Sequence, residues 1–230
     1  MSDELIGMGV YTPSEAGRLL HIPAARITRW LRGHRIGEQA YEPLWRPEVT
    51  LDDRVFLGFR DLMEVRVVDA FIRAGVPALR LRMAIQLARD ILGNDHPLST
   101  NHFRTDGREI FLRVIETDPD GSERERLLNL FRRQYEFNDI INPILKTVDF
   151  DDHGAPFLWW PGGRRLNVVV DPARSFGQPI DAASSVPTAV LAAAAKTEGV
   201  QGAATAFEVS EASVRRAIEF EASMEQKLAA

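Results

Sequence analysis

The chain has 230 residues with 28 lysines and arginines against 33 aspartates and glutamates, a formal net charge of -5. Hydrophobic residues make up 45% and charged residues 27%, which is typical of a globular protein with a sizeable core. Cysteine is absent, which excludes disulfides, thiol nucleophiles and cysteine-ligated zinc. The longest apolar run, at residues 189–195, is too short to span a bilayer. We therefore expect a cytoplasmic protein with no membrane partner.

Residues 12–33 predict two short helices joined by a turn. Thr12 can cap the first helix, with Pro13 in the first helical position and Glu15 completing a capping box. Pro23 ends this helix, because proline has no N–H and disfavours a helical residue before it. The second helix then begins near Pro23. This arrangement is typical of a helix-turn-helix, a common DNA-recognition motif.

The second helix separates an apolar face from a basic one. Its apolar residues recur at three- and four-residue spacing and should face inward: Ile27, Trp30 and Leu31. Residues 18–35 hold five arginines and no carboxylate, although the whole chain is acidic. Because arginine pairs with phosphate and with guanine, this segment predicts a DNA-binding site. Its candidate residues are Arg26, Thr28, Arg29, Arg32 and Arg35. The alternative is a small helical pair with a solvated arginine face.

The middle of the chain predicts helices separated by short hairpins. Glycines and prolines in residues 36–53 favour a loop or a small wing. Helical spacing covers residues 59–74 and 78–92, and a turn with two short strands is predicted around Asp106-Gly107. Further along we expect a turn at residues 118–121, a helix over 123–148 kinked at Pro143, and a hairpin pairing residues 157–160 with 166–170.

The last segment predicts three helical stretches, at residues 186–197, 201–207 and 210–223. The fold class is therefore mainly α with small β-hairpins. We expect an N-terminal helix-turn-helix DNA-binding module at 1–58, a helical middle region with β-hairpins at 59–165, and a C-terminal helical module at 166–230. Residues 187–230 carry six glutamates and four basic residues, which favours a protein partner or dimerisation over DNA there.

Catalytic and metal-binding patterns have little support. Asp149, Asp151, Asp152 and His153 could hold a divalent ion, but neighbouring residues of an extended segment point to opposite faces, which favours a turn. The chain has no Ser-His-Asp pattern, glycine-rich phosphate loop or HExxH motif. We therefore predict no metal, no cofactor and no enzyme activity. A hydrolase would need residues brought together only by the fold.

Four stretches of the chain resemble bacterial antitoxins of the VapB type. They are residues 24–33, which end in Arg-Trp-Leu-Arg-Gly, FLGFRDLMEVRVVDAFIRAGV at 56–76, TDGREIF at 105–111 and VVVDPARSFGQPI at 168–180. In such proteins a helix-turn-helix similar to that of MerR-type regulators precedes a module called domain of unknown function 433. One departure follows Pro179, where a glycine-threonine-arginine segment is usual and this chain has Asp181-Ala182-Ala183-Ser184-Ser185.

The resemblance implies an antitoxin of a type II toxin–antitoxin system. It would neutralise a PIN-like ribonuclease toxin and repress its own operon by binding operator DNA. A homodimer is expected, because two-fold pairing places two reading helices one DNA turn apart, ~34 Å. The alternative is a MerR-like transcriptional regulator that responds to a small ligand, with a pocket near Trp159 and Trp160. These tryptophans could equally belong to the core.

Overall fold

The computed structural model describes residues 7–51, 54–116 and 134–228. It is mainly helical with small antiparallel sheets, which confirms the predicted fold class. The described helices are α1 Pro13–Leu20, α2 Ala24–Arg32, α3 Phe59–Arg73, α4 Ala78–Leu92, α5 Asn101–Glu116, α6 Gln134–Leu145, α7 Thr188–Ala206 and α8 Glu211–Leu228. None of them is both long enough and apolar enough to cross a membrane.

The strands are short and pair only with antiparallel neighbours. They are β1 His34–Ile36, β2 Gln39–Tyr41, β3 Val49–Leu51, β4 Arg54–Phe56, β5 Val148–Phe150, β6 Pro156–Trp159, β7 Val168–Val170 and β8 Pro179–Asp181. The first four form two separate hairpins, and the last four form one sheet in chain order. The predicted wing is therefore the β1–β2 hairpin, and the predicted pairing near Trp159 is β6 with β7, where Trp159 faces Val170.

Helix α3 lies at the centre of the main core. Its side chains are buried around almost the whole circumference, so it has no solvated face. Phe71 contacts three aromatic rings from α5 and α6, at centroid distances of 6.3 Å to Phe103, 4.8 Å to Phe111 and 5.9 Å to Phe137. The same cluster of buried residues includes Ile27 of α2. Helix α2 thus shares a core with the middle of the chain.

The predicted hairpin around Asp106-Gly107 is wrong, because these residues lie in the middle of α5. Four buried side chains of α5 recur at helical spacing: Phe103, Ile110, Phe111 and Val114. Gly107 serves close packing rather than a turn, since a Cβ there would lie 2.8 Å from the Phe103 ring. Burial of this face in the core outweighs the local preference of Asp-Gly for a turn.

Part of the next prediction lies outside the described residues. This applies to the turn at 118–121 and to the first part of the helix at 123–148. The second part of that helix is α6, which contains Pro143. Between β6 and β7 the chain forms a single 3-10 turn at Arg164–Leu166, so the second strand of this hairpin is shorter than predicted.

The C-terminal module packs α7 against α8. Gly199, with φ 74°, interrupts α7 at the predicted boundary between two helical stretches. A small core lies between the two helices, formed by Leu191, Ala203, Ala204, Val214 and Ala217. The segment after Pro179 adds polar contacts to this module, because buried Asp181 accepts hydrogen bonds from Ser184 and Arg216. The unusual sequence at this point therefore joins β8 to α8.

Candidate nucleic-acid interface

Helix α1 begins as its sequence predicts. The Thr12 backbone N–H donates to the Glu15 carboxylate at 2.8 Å, and the Glu15 N–H donates to Thr12 Oγ1 at 3.2 Å. This capping box satisfies two backbone donors that would otherwise have no partner in the first turn. Just before it, Tyr11 exchanges two backbone hydrogen bonds with Leu57, of 2.9 and 2.8 Å. The start of α1 is therefore fixed against the segment that leads into α3.

A tight turn sets α2 against α1. His21 ends α1 in the left-handed conformation, with φ 57°, and the Ile22 N–H donates to the Gly17 carbonyl at 3.0 Å. A Cβ on Gly17 would lie 2.6 Å from the Ile22 carbonyl oxygen, so only glycine fits there. The three apolar side chains predicted to face inward are all buried: Ile27, Trp30 and Leu31. The opposite face of α2 therefore points away from the core.

Three of the five candidate residues are arginines with exposed side chains. Arg29 and Arg32 lie on the outer face of α2, and Arg35 lies on β1 of the wing. No ion pair with a carboxylate is found for any of them in the described parts of the chain. A cationic surface therefore runs from the last turn of α2 onto the wing. An exposed guanidinium can pair with phosphate at little cost, because it gives up only water.

The other two candidates are engaged within the protein. Arg26 is exposed, but its Nη1 lies 3.5 Å from Oδ1 of the nearly buried Asp69 on α3. Asp69 also holds Arg73, with 2.6 Å between Oδ2 and Nε. Thr28 is half-buried and its hydroxyl donates to the Ala24 carbonyl at 3.0 Å. Arg26 would have to leave Asp69 to reach a ligand, whereas Thr28 keeps only acceptor capacity.

The wing is attached to α2 through a second tight contact. Gly33 ends α2 with φ 70°, and a Cβ on it would clash with the Tyr41 carbonyl oxygen. The His34 and Tyr41 rings stack with centroids 4.8 Å apart. The Leu44 N–H then donates to the Trp30 carbonyl at 2.8 Å. These contacts fix the position of Arg35 relative to α2.

A buried polar cluster behind the wing was not predicted from the sequence. Asp61 accepts four hydrogen bonds: from Trp45 Nε1 at 2.8 Å, the Glu48 N–H at 2.8 Å, the Gly58 N–H at 2.9 Å and His96 Nε2 at 2.9 Å. Burial alone would lower the pKa of His96, but the hydrogen bond and charge of Asp61, with Glu64 and Glu48, raise it. The cluster joins the segment after the wing to α3 and to the loop before α5.

Glu48, Asp61 and His96 bring one potential metal ligand each to within 4.8 Å. Asp61 Oδ1 already accepts hydrogen bonds from Trp45 and His96. Its Oδ2 accepts hydrogen bonds from the backbone N–H groups of Glu48 and Gly58. A cation would have to displace the His96 hydrogen bond. The arrangement therefore fits a network that holds segments together, because all four donors of Asp61 come from the protein itself. Only the position of Asp61 three residues after Gly58, as in a capping box, could have indicated it.

The acidic segment 149–153 forms turn and sheet contacts. Asp149 pairs with Arg164 and accepts the Trp160 indole N–H at 2.8 Å. Asp151 accepts backbone N–H groups two and four residues later. Trp159 is buried, with the Arg66 guanidinium 4.6 Å from its ring centre. Trp159 therefore belongs to the core, whereas Trp160 is half-buried with the Arg164 guanidinium 5.3 Å from its ring centre.

Comparison with known proteins identifies the family. No family model matches the chain. The chain is 32% identical over 191 residues to a protein of Mycobacterium tuberculosis named "Putative antitoxin VapB45", covering 78% of this chain and 80% of the relative. The crystal structure of Rv2018 from the same organism superposes with a TM-score of 0.70 at 29% identity, over 90% of this chain and 96% of that one. Sequence and fold agree over most of both chains, and the chain belongs to the VapB-type antitoxin family.

Proposed function

We propose that this protein is the antitoxin of a type II toxin–antitoxin system and binds the operator of its own operon through α2 and the wing. The exposed Arg29, Arg32 and Arg35, which form no ion pair with another described residue, are the observation that carries the DNA-binding part of this proposal. They form a local cationic surface on a chain whose formal net charge is -5. Such a surface attracts phosphate irrespective of base sequence.

The geometry of the motif suits the major groove of duplex DNA. Helix α2 has nine residues and is therefore about 14 Å long. In helix-turn-helix proteins the second helix enters the groove and contacts base edges near its N-terminus. Arg29 and Arg32 both lie in the last turn of α2. Arg29 is the nearer of the two to the N-terminus, so we assign it a base contact and assign Arg32 and Arg35 phosphate contacts. A homodimer would place two copies of residues 1–58 on successive turns, ~34 Å apart.

The toxin-binding part of the proposal has a different basis. Its support is the name of the M. tuberculosis relative, which describes an antitoxin. Within this chain, residues 187–230 hold more glutamates than basic residues and would gain little from phosphate. We assign neutralisation of a PIN-like ribonuclease toxin to residues 166–230 and treat the protein as a binding protein without catalytic activity of its own.

Two measurements on the full-length protein test the two parts separately. Fluorescence anisotropy with labelled DNA from upstream of the gene should show binding that exceeds binding to scrambled DNA. Its affinity should fall steeply with salt. Calorimetric titration with the purified product of the adjacent toxin gene should show a complex. Equal binding to operator and scrambled DNA would contradict operator recognition, and absence of a complex would contradict the antitoxin role.

A further inference from the structure

Phe176 is the most exposed large hydrophobic residue in the described ranges, with 77% of its surface accessible. It lies in a single 3-10 turn, Ser175–Gly177, between β7 and β8. A solvent-exposed phenyl ring loses the favourable free energy that burial would supply. Aromatic side chains in this position are typical anchors of protein interfaces.

The backbone around Phe176 is held in an unfavourable conformation. Ser175 and Phe176 have φ values of 47° and 54°, so two consecutive residues with a Cβ adopt the left-handed region. Such conformations persist only where the surroundings impose them, and they concentrate at functional sites. The exposed ring is what this conformation produces.

Side-chain hydrogen bonds on both sides of the ring impose this conformation. Arg174 bridges Asp171 and Ser185, with 2.6 Å from Nε to Oδ2 and 2.9 Å from Nη1 to Oγ. The Gly177 carbonyl accepts the hydroxyl of Tyr11 at 2.8 Å. None of these bonds uses the phenyl ring. The backbone is therefore fixed while the ring stays available.

Beside Phe176 lies a groove between α1, α7 and α8. Its floor and walls include the apolar side chains of Val10, Leu19, Pro179, Ala189 and Met224. Its charged residues are Glu15, Arg18 and Glu221, of which Arg18 and Glu221 form an ion pair. The Glu15 carboxylate accepts only the capping bonds of Thr12 among the described residues. The groove therefore has an apolar interior and one excess negative charge.

We propose that Phe176 and this groove, the Phe176 surface, form the docking site for the toxin. This inference rests on the proposed antitoxin function. The partner would present an apolar cleft for the ring, an apolar side chain for the groove and a lysine or arginine facing Glu15. A second copy of the chain fits less well, since a two-fold contact would oppose two grooves that each carry excess negative charge.

The Phe176 surface is separate from the proposed DNA-binding surface. Arg29 lines a different groove, formed by α2, the wing and the start of α4, and shares no lining residue with the groove at Phe176. We therefore expect the toxin and the operator to bind one antitoxin at the same time. Toxin binding should leave operator affinity measurable, and a variant of either surface should affect one ligand only.

The test measures binding of the purified toxin to three full-length variants. Phe176→Ala should weaken the complex about 30-fold or more, the effect of losing an interface hot spot. Ala189→Trp should fill the groove and weaken it about tenfold or more, although Ala189 is exposed and its replacement leaves the core intact. Phe157→Ala is the matched control, because Phe157 is 44% exposed on β6 and does not line the groove. It should bind within about threefold of wild type.

The outcomes separate this inference from the proposed function. If the wild type binds the toxin and both Phe176→Ala and Ala189→Trp bind it with the same affinity, the Phe176 surface alone is overturned. Failure of the wild type to bind the toxin would overturn the antitoxin role and this surface with it. Light scattering measures the oligomeric state of the wild type and of Phe176→Ala in the absence of toxin. A wild-type dimer that Phe176→Ala dissociates would show that a second copy occupies the surface, and would also overturn the proposal.

Discussion

The phenolic hydroxyl of Tyr11 donates to the carbonyl of Gly177 at 2.8 Å, across 166 positions of the chain. Tyr11 is 3% exposed, and its backbone pairs with Leu57 immediately before α3. Burial, together with the charges of Asp171 and Glu15, raises the pKa of its hydroxyl, so it stays a neutral donor at physiological pH. One residue thus connects the start of α1, the segment before α3 and the turn that exposes Phe176.

Removing this hydroxyl should destabilise the protein measurably. In Tyr11→Phe the buried Gly177 carbonyl loses its donor, which is expected to cost about 1–3 kcal/mol of unfolding free energy. Urea denaturation gives the value. Tyr41→Phe is the control, because the Tyr41 ring stacks on His34 and its hydroxyl has no hydrogen bond to another described residue. Equal stability of the two variants would show that the bond to Gly177 contributes nothing.

Arg29→Ala and Arg32→Ala should each weaken operator binding without affecting folding. Loss of a base contact is expected to cost about 1–3 kcal/mol of binding free energy. Loss of a phosphate contact is expected to reduce the slope of log affinity against log salt concentration by about 1. Anisotropy titrations at several salt concentrations separate these two effects. We expect Arg29→Ala to reduce discrimination between operator and scrambled DNA. Arg32→Ala should weaken binding to both.

Arg215→Ala is the matched control for these two variants. Arg215 is also an exposed helical arginine, but it lies on α8 and pairs with Glu211 at 2.9 Å. It should bind operator DNA with the wild-type affinity and salt slope. If it weakens binding as much as Arg29→Ala does, the DNA lies elsewhere or the effect reflects only total charge.

Asp69 should restrain Arg26 and so reduce DNA affinity. The Asp69 carboxylate lies 3.5 Å from Arg26 Nη1 and also holds Arg73. Asp69→Asn removes the attraction while keeping the size of the side chain, so operator binding should tighten by about twofold to tenfold, with a salt slope steeper by up to about 1. The double variant Asp69→Asn with Arg26→Ala should lose this gain. Should it retain the gain, Arg26 is not the group released.

The features that the sequence predicted correctly are governed by local rules. The Thr12–Glu15 capping box and the inward face of α2 depend on residues three or four positions apart, which any single sequence displays. The same holds for the break in α7 at Gly199. In each of these cases neighbours along the chain were sufficient to fix the local structure.

The features that the sequence did not reveal depend on distant contacts. Gly107 was predicted in a turn, but the Phe103 ring and the packing of α5 in the core place it in a helix. The partner of Arg26 lies 43 positions away, and the four hydrogen bonds of Asp61 come from residues 45, 48, 58 and 96. Such pairings have no signature in spacing, so the sequence could propose candidate DNA-binding residues but could not rank them.

The stability of the protein should fall as pH rises from about 5 to 8.5, because of Glu64. Glu64 is fully buried; Oε1 accepts the Leu98 N–H at 3.1 Å, and Oε2 has no partner among the described residues. Burial, opposed by the charge of His96, raises its pKa from 4.5 to about 7. Since this folded-state pKa exceeds the unfolded one, the stabilisation is complete below about pH 4.5 and is lost as pH rises through about 7.

Glu64→Gln should flatten this dependence, because a neutral amide has the same charge at every pH. At about 1.4 kcal/mol per pKa unit the difference between wild type and variant should approach about 3 kcal/mol between pH 5 and 8.5. Urea denaturation across this range measures it. Glu225→Gln, at an exposed position of α8, should follow the wild-type curve. His96 is retained in all three proteins, and its raised pKa gives stability that also declines with rising pH. Burial also raises the pKa of Glu48, so parallel curves for wild type and Glu64→Gln would assign the dependence to His96 and Glu48.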